Sequence, residues 1–258
     1  MARQSGSNQI GKTALGVAFW LAVWQLASLA IGEELFLPSP FSVAAALARL
    51  VVTGSFWLTV CASLARIGAG FLLGFAAGFL LACAAKAGRW VEVLLRPFMQ
   101  LVRAVPVASF TILAILWVGS RNLSVFVSFL MVLPVVYSAT LTGLAAAPPQ
   151  LLEMAGVFRV PFFRRARAVY LPALMPSLAG GCELALGLGW KSGVAAEVIG
   201  LSSGTIGERL YQAKVYFMTP DVFAWTVVVV ALSWGSGKAV LAGLRRLYKA
   251  VGGGGPRE

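Results

Sequence analysis

The chain has no histidine, so the side chain most used as a general base and as a metal ligand is missing. Acidic residues are scarce: nine Asp and Glu stand against 21 Lys and Arg in 258 residues, for a formal net charge of +12. No carboxylate pair and no serine-based triad falls at a usable spacing. There are three cysteines, Cys61, Cys83 and Cys182, an odd number placed in or near apolar runs; they imply no disulfide framework and are expected to pack. A phosphate loop is absent too. Gly235-Ser236-Gly237-Lys238 imitates the end of one, but Ala239 follows where Ser or Thr is required, and Leu232 stands where the first glycine belongs. The chain is therefore not expected to be an enzyme, to hydrolyse ATP itself, or to hold any cofactor or metal.

What the sequence has instead is apolar length. Hydrophobic residues make up 59% of the chain, above the roughly 45–50% of soluble domains. They lie in runs near the roughly 20 residues needed to cross a bilayer. Six spans are predicted, at 13–32, 60–85, 97–118, 123–146, 172–192 and 221–243, which makes this an all-α polytopic membrane protein. The domain plan is a polar tail over 1–12, one membrane domain over 13–245 and a second tail over 246–258. The first run, preceded by Arg3 and Lys12, also resembles a signal peptide, with Ser28-Leu29-Ala30 as a small-x-small site. It is expected to stay as an uncleaved span.

The positive charge follows the spans. With both termini cytoplasmic, the inner segments hold Arg3, Lys12, Lys86, Arg89, Arg96, Arg159, Arg164, Arg165, Arg167, Lys238, Arg245, Arg246, Lys249 and Arg257. The outer segments hold only Arg49, Arg121, Arg209 and Lys214; Arg66, Arg103 and Lys191 fall within or at the ends of spans. This is the positive-inside bias. It accounts for the charge as an orientation and lipid-contact signal, so nucleic acid is not an expected partner.

Several positions admit two roles. Gly70, Gly74 and Gly78 recur every four residues, the period at which helices approach closely in lipid; they serve packing within the chain or a contact with a second copy. Arg66 is expected to snorkel to the headgroups. Pro106, inside the third predicted span, is a packed kink or a bend lining a solute route. In the fifth span Gly180, Gly181, Gly187, Gly189 and Gly193 argue against a regular helix, at up to about 1 kcal/mol each relative to Ala. Glu183 and Lys191, beside Trp190, are eight residues apart and so share roughly one helix face. They form a sealed pair or line a hydrated pathway. Glu197 is expected to open an outer loop that continues through 200–220. Residues 252–255, all Gly, read as a flexible tail.

Between the fourth and fifth spans lies a basic, partly amphipathic insert, LLEMAGVFRVPFFRRARAVYLPAL. Pro148-Pro149 can start a short helix there, with Glu153 near its positive end, and Pro161 ends it. Leu151, Leu152, Met154 and Val157 offer apolar side chains. Taken alone, Arg164, Arg165 and Arg167 are either topology signal or part of a docking surface.

The spacing of this insert resembles the EAA motif of permease subunits in ABC importers, an acidic and two small residues followed after a fixed gap by an aliphatic residue and Leu-Pro. Glu153, Ala155, Val169, Leu171 and Pro172 fall on those positions, while Met154 replaces a small residue and Arg159 stands where the family has Gly. Three further stretches are similar to the nitrate, sulfonate and taurine group of these permeases: Leu37-Pro38-Ser39-Pro40; Pro97, Arg103 and Pro106 ahead of Trp117-Val118-Gly119; and Ala196-Glu197. The resemblance implies a MetI-like architecture with a short cytoplasmic coupling helix in a bacterial plasma membrane. It implies a second permease copy, ATPase subunits that carry ATP and Mg, and an extracytoplasmic substrate-binding protein. Leu152, Glu153, Met154, Ala155, Val157, Arg159, Leu171 and Pro172 become the coupling candidates; Pro106, Glu183, Trp190, Lys191 and Glu197 become the pathway candidates. A passive channel or secondary carrier, and a non-transporting membrane scaffold, are the alternatives. Solute identity is not legible.

Overall fold

The computed structural model describes residues 4–252, and among these every regular element is helical. The elements are α1 (Gln4–Ile31), α2 (Pro40–Val51), α3 (Gly54–Ala87), α4 (Arg89–Ala104), α5 (Val107–Ala145), α6 (Pro149–Val157), α7 (Phe162–Arg165), α8 (Leu171–Gly200), α9 (Ile206–Val215) and α10 (Thr219–Gly252). A π-helical segment, Ala166–Tyr170, joins α7 to α8. Arg3, the Lys12 side chain, Arg257 and the glycine run beyond Gly252 lie outside the described residues. The helix starts at Gln4 and α10 runs to Gly252, so much of the two expected tails is helical.

Four helices are long and apolar enough to cross a membrane: Gly54–Ala87, Val107–Ala145, Phe162–Gly200 and Thr219–Val251; Leu15–Ile31 is a shorter apolar stretch. The 39 residues of α5 are not one rod. Gly119, at φ 72° and ψ 164°, breaks it. The rings of Phe110 and Phe126 lie 6.0 Å apart, whereas sixteen residues of straight helix would separate them by about 24 Å. The chain therefore reverses at Gly119, and the two arms of α5 pack antiparallel through Ala114, Leu123 and Val127. Gly is required because its φ and ψ fall where side chains are essentially not tolerated. Five of the six predicted apolar segments thus lie essentially within single helical arms, and the third is split between two helices.

The third predicted span, 97–118, is not continuous. Val105 and Pro106 are extended, at ψ 127° and 119°, because Pro pushes its predecessor out of the helical region and lacks an N–H. Residues before the break belong to α4, a separate amphipathic helix. Pro106 is a helix start, not a kink.

Contacts divide the chain into two units, one comprising the chain up to Thr59 with Arg209–Val228, the other Val60–Glu208 with the chain from Val229 onward. In the first, Ser39 caps α2 by accepting from the Ser42 N–H at 3.1 Å, with Pro40 in the first turn. Val43 and Ala46 of α2 bury against Ala224, flanked by Trp24 and Phe223. Arg49 pairs with Asp221 at 2.6 Å, and Phe56 stacks on Trp225 with centroids 5.1 Å apart.

The second unit is built on close backbone approach. A methyl added at Gly70 would lie 2.5 Å from the Val125 oxygen, at Gly74 2.8 Å from Val132 Cβ, and at Gly78 2.7 Å from the Leu133 oxygen. The four-residue stripe therefore seats α3 on α5 within one chain. From the other side, Gly181 abuts Ala139 and Gly193 abuts Ser128, so α8 also lies against α5. These glycines permit contact and do not break the helix: α8 is regular from Leu171 to Gly200, contrary to the irregular fifth span expected from its composition. Phe71, Val132, Val136, Leu178, Cys182 and Leu186 fill the core they enclose.

Gly119→Val is expected to destabilise the protein by about 1–3 kcal/mol, the cost of a backbone region that only Gly occupies freely. Gly68→Ala, at a helical position with open space around it, should be neutral or mildly stabilising. Thermal unfolding in detergent measures both, and equal midpoints for the two variants would remove the reversal at Gly119.

Candidate functional site

Three places concentrate chemistry: the α6 segment, a cavity between α8 and α10, and the C-terminal end of α8. The α6 segment follows Ala147-Pro148. Pro148 is extended and Pro149 occupies the first helical turn, where a missing N–H costs nothing. Glu153 sits in the second turn, so the helix dipole holds it less firmly than its place in the sequence suggests. Ala155 is buried at 5%, while Val157 and Phe158 are 80% and 74% exposed and Leu151 and Met154 are exposed beside them. Leu152 is half-buried.

The helix closes in a Schellman arrangement. The Arg159 N–H donates to the Gly156 oxygen at 3.0 Å and the Val160 N–H to the Ala155 oxygen at 2.9 Å. That geometry demands a left-handed residue, and Arg159 adopts it at φ 52°. This is the physical reason for Gly at the corresponding family position; here an arginine bears the strain. The Arg165 guanidinium donates to the Val160 oxygen at 3.3 Å and steadies the turn. Val169 falls in the π-helical segment, and Leu171 and Pro172 open α8.

The cavity has a volume of about 650 Å³ and is lined by Glu183, Trp190 and Lys191 of α8 and by Ser233, Trp234 and Lys238 of α10, among others. Trp190 is buried and its Nε1 donates to Ser236 Oγ at 2.8 Å. Glu183 and Lys191 are exposed, and the one salt bridge among the described residues is Arg49–Asp221. They do not form a sealed pair. Lys238 lies within α10 with Nζ 3.4 Å from the centre of the Trp234 ring. Sequence reasoning missed Lys238 and Trp234. Their four-residue spacing on one helix face was the available signal. Pro106 does not line this cavity.

Glu197 is elsewhere. It lies in the last turn of α8, not in a loop, and is completely buried. Its Oε2 accepts from Ser63 Oγ at 2.8 Å and from the Gly207 N–H at 3.2 Å. Ser63 Oγ in turn accepts from the Ile206 N–H at 2.9 Å. Arg66 reaches toward this loop, its guanidinium 3.5 Å from the Ser203 oxygen. The arrangement ties residues 202–207 to α3 and α8. Arg103 of α4 is likewise structural: it donates to the Pro134 oxygen at 2.6 Å and to Ser138.

These helices resemble a known membrane architecture. The chain superposes on a subunit of the MetNI methionine ABC transporter, solved in inward-facing conformations, with a TM-score of 0.52 and 18% identity over 76% of this chain and 97% of that one. The likeness establishes the fold. The family described as "Binding-protein-dependent transport system inner membrane component" matches residues 70–250. The chain belongs to this family. Its relatives include permease proteins named for putative aliphatic sulfonate transport: one from Bacillus subtilis, 30% identical over 81% of this chain and 76% of the relative, and one from Escherichia coli, 34% identical over 86% and 87%. A taurine transport permease of Escherichia coli is 26% identical over 94% and 87%. This binding-protein-dependent permease is a membrane subunit of an ABC importer and not an enzyme, as the family resemblance implied.

Two outcomes test the local geometry of the permease. Arg159→Gly should relieve the left-handed strain and stabilise the turn by about 1 kcal/mol, seen as slower proteolysis between Phe158 and Val160. Glu197→Ala strands the Ser63 hydroxyl and the Gly207 N–H and should cost about 1–3 kcal/mol, with faster cleavage across 202–207. An unchanged cleavage rate there would mean that Glu197 does not hold the loop.

Proposed function

We propose that α6 and its closing turn are the surface on which a separate ATPase docks, and that the cavity between α8 and α10 is a stretch of the solute route. A second permease copy covers the bare face of α8, where Gly180 and Gly187 have open space around them. Both termini are cytoplasmic in this arrangement, and an extracytoplasmic binding protein delivers the solute. The relatives named for sulfonate and taurine transport support a small organic sulfonate as cargo.

One observation carries the docking assignment. A nine-residue helix and its closing residue present Met154, Val157 and Phe158 outward, in the same stretch of chain as the exposed Arg164 and Arg167. A passive channel has no use for such a helix; a subunit driven from outside itself needs one. The test replaces Val157 by Glu and Glu153 by Lys. Each should lower ATPase copurification about tenfold, equivalent to about 1.4 kcal/mol, with membrane insertion unchanged. Full retention of the ATPase in both variants would sink the docking assignment.

A further inference from the structure

We infer that the α8–α10 cavity selects small organic monoanions, with Lys191 and Lys238 meeting the charged head and Glu183 excluding dianions. This rests on the cavity being part of the solute route. The volume of about 650 Å³ is in the range of small-molecule sites. It is larger than a bare inorganic anion needs, and its wall includes Val229, Val230, Leu241 and the rings of Trp190 and Trp234, which suit a short hydrocarbon body.

The charges decide the class. Ionisable side chains on membrane-spanning helices are costly and are kept where they face water or a partner. Lys191 and Lys238 come from different helices and line the same cavity. Neither is paired with a carboxylate among the described residues. Lys238 rests on the Trp234 face at 3.4 Å, which partly offsets its desolvation and leaves N–H donors for a ligand. With Glu183, the three groups leave the cavity one positive charge. A monoanion neutralises it. A dianion leaves an unbalanced negative charge facing Glu183, a like-charge cost that raises its binding free energy.

The position of Glu183 fits that role. It lies eight residues from Lys191, about 12 Å along the α8 axis, at the other end of the wall that α8 gives the cavity. A sulfonate head between the lysines would turn its apolar body toward Glu183, where no second negative group is tolerated.

The test uses the purified permease–ATPase complex without the binding protein, so that specificity residing in the latter does not enter. Equilibrium binding of radiolabelled ethanesulfonate is measured with sulfate as competitor. Lys191→Met and Lys238→Met should each weaken ethanesulfonate binding at least about tenfold, with Lys191→Arg and Lys238→Arg retaining most of it. Glu183→Gln should keep ethanesulfonate binding and let sulfate compete at least about tenfold better. Unchanged affinity in both methionine variants would overturn the lysine assignment; unchanged sulfate competition in Glu183→Gln would overturn the exclusion role. ATPase copurification in every variant checks assembly. If the wild-type permease does not assemble with the ATPase, the functional reading itself fails; if it does and the lysines are silent, only this site falls.

Discussion

Close backbone contact between α8 and the second arm of α5 is the constraint on which the larger unit depends. Between apolar helices in lipid, burial of side chains supplies little drive, because the surrounding chains are as apolar as the helices. Association must come from tight packing and from hydrogen bonds across the interface. Both are present. Gly181 and Gly193 bring α8 against Ala139 and Ser128, and the Ser128 hydroxyl donates to the Gly189 oxygen at 3.0 Å. The opposite side of the same arm receives Gly70, Gly74 and Gly78 of α3. One helix arm, 120–145, is thus gripped from two sides, and the core around Val132 and Val136 follows from that grip.

The ionisable groups divide by what they face. Arg49 and Asp221 neutralise each other, Arg103 is absorbed by a carbonyl and a hydroxyl, and Glu197 accepts from a hydroxyl and a backbone N–H. Each has a structural partner that explains its retention in an apolar chain. Glu183, Lys191 and Lys238 have no such carboxylate or ammonium partner and border open volume. The separation matters, because Glu183 and Glu197 stand fourteen residues apart on the same helix, α8, yet face different surroundings.

That example shows where sequence reading stopped. The long apolar runs and the α6 insert were legible, because hydropathy, Pro placement and motif spacing are local properties. Glycine in α8 was misread because its composition signals backbone freedom when the neighbours are unknown; with Ala139 and Ser128 in place it signals proximity instead. Glu197 read as a loop residue because nothing local reveals Ser63, 134 residues away, as its donor. The break at Pro106 was visible as a proline, but whether a proline kinks or separates helices depends on what covers the freed backbone.

The three chemical places share one mechanical element. Counted from its first turn, α8 starts at Leu171 directly after the π-helical residues that follow the α6 turn, carries Glu183 to Lys191 midway, and ends at Glu197. Thirty residues of regular helix span about 45 Å. Such a rod, packed along α5 over much of its length, does not bend to absorb a displacement at one end; it shifts or tilts as a body. The π-helical turn, Ala166–Tyr170, is the softest link between the docking segment and the rod, since that winding is less stable than α and concentrates at functional positions. With α6 as the proposed docking surface, force applied there would pass through this turn into α8. It reaches the cavity and the outer loop in the same movement, because Glu197 fastens that loop to the rod's far end. A solute held between Lys191 and Lys238 touches both the moving helix and α10, so any tilt of α8 changes the distance between the two cations that hold it. On the docking proposal, coupling and release are two consequences of one displacement.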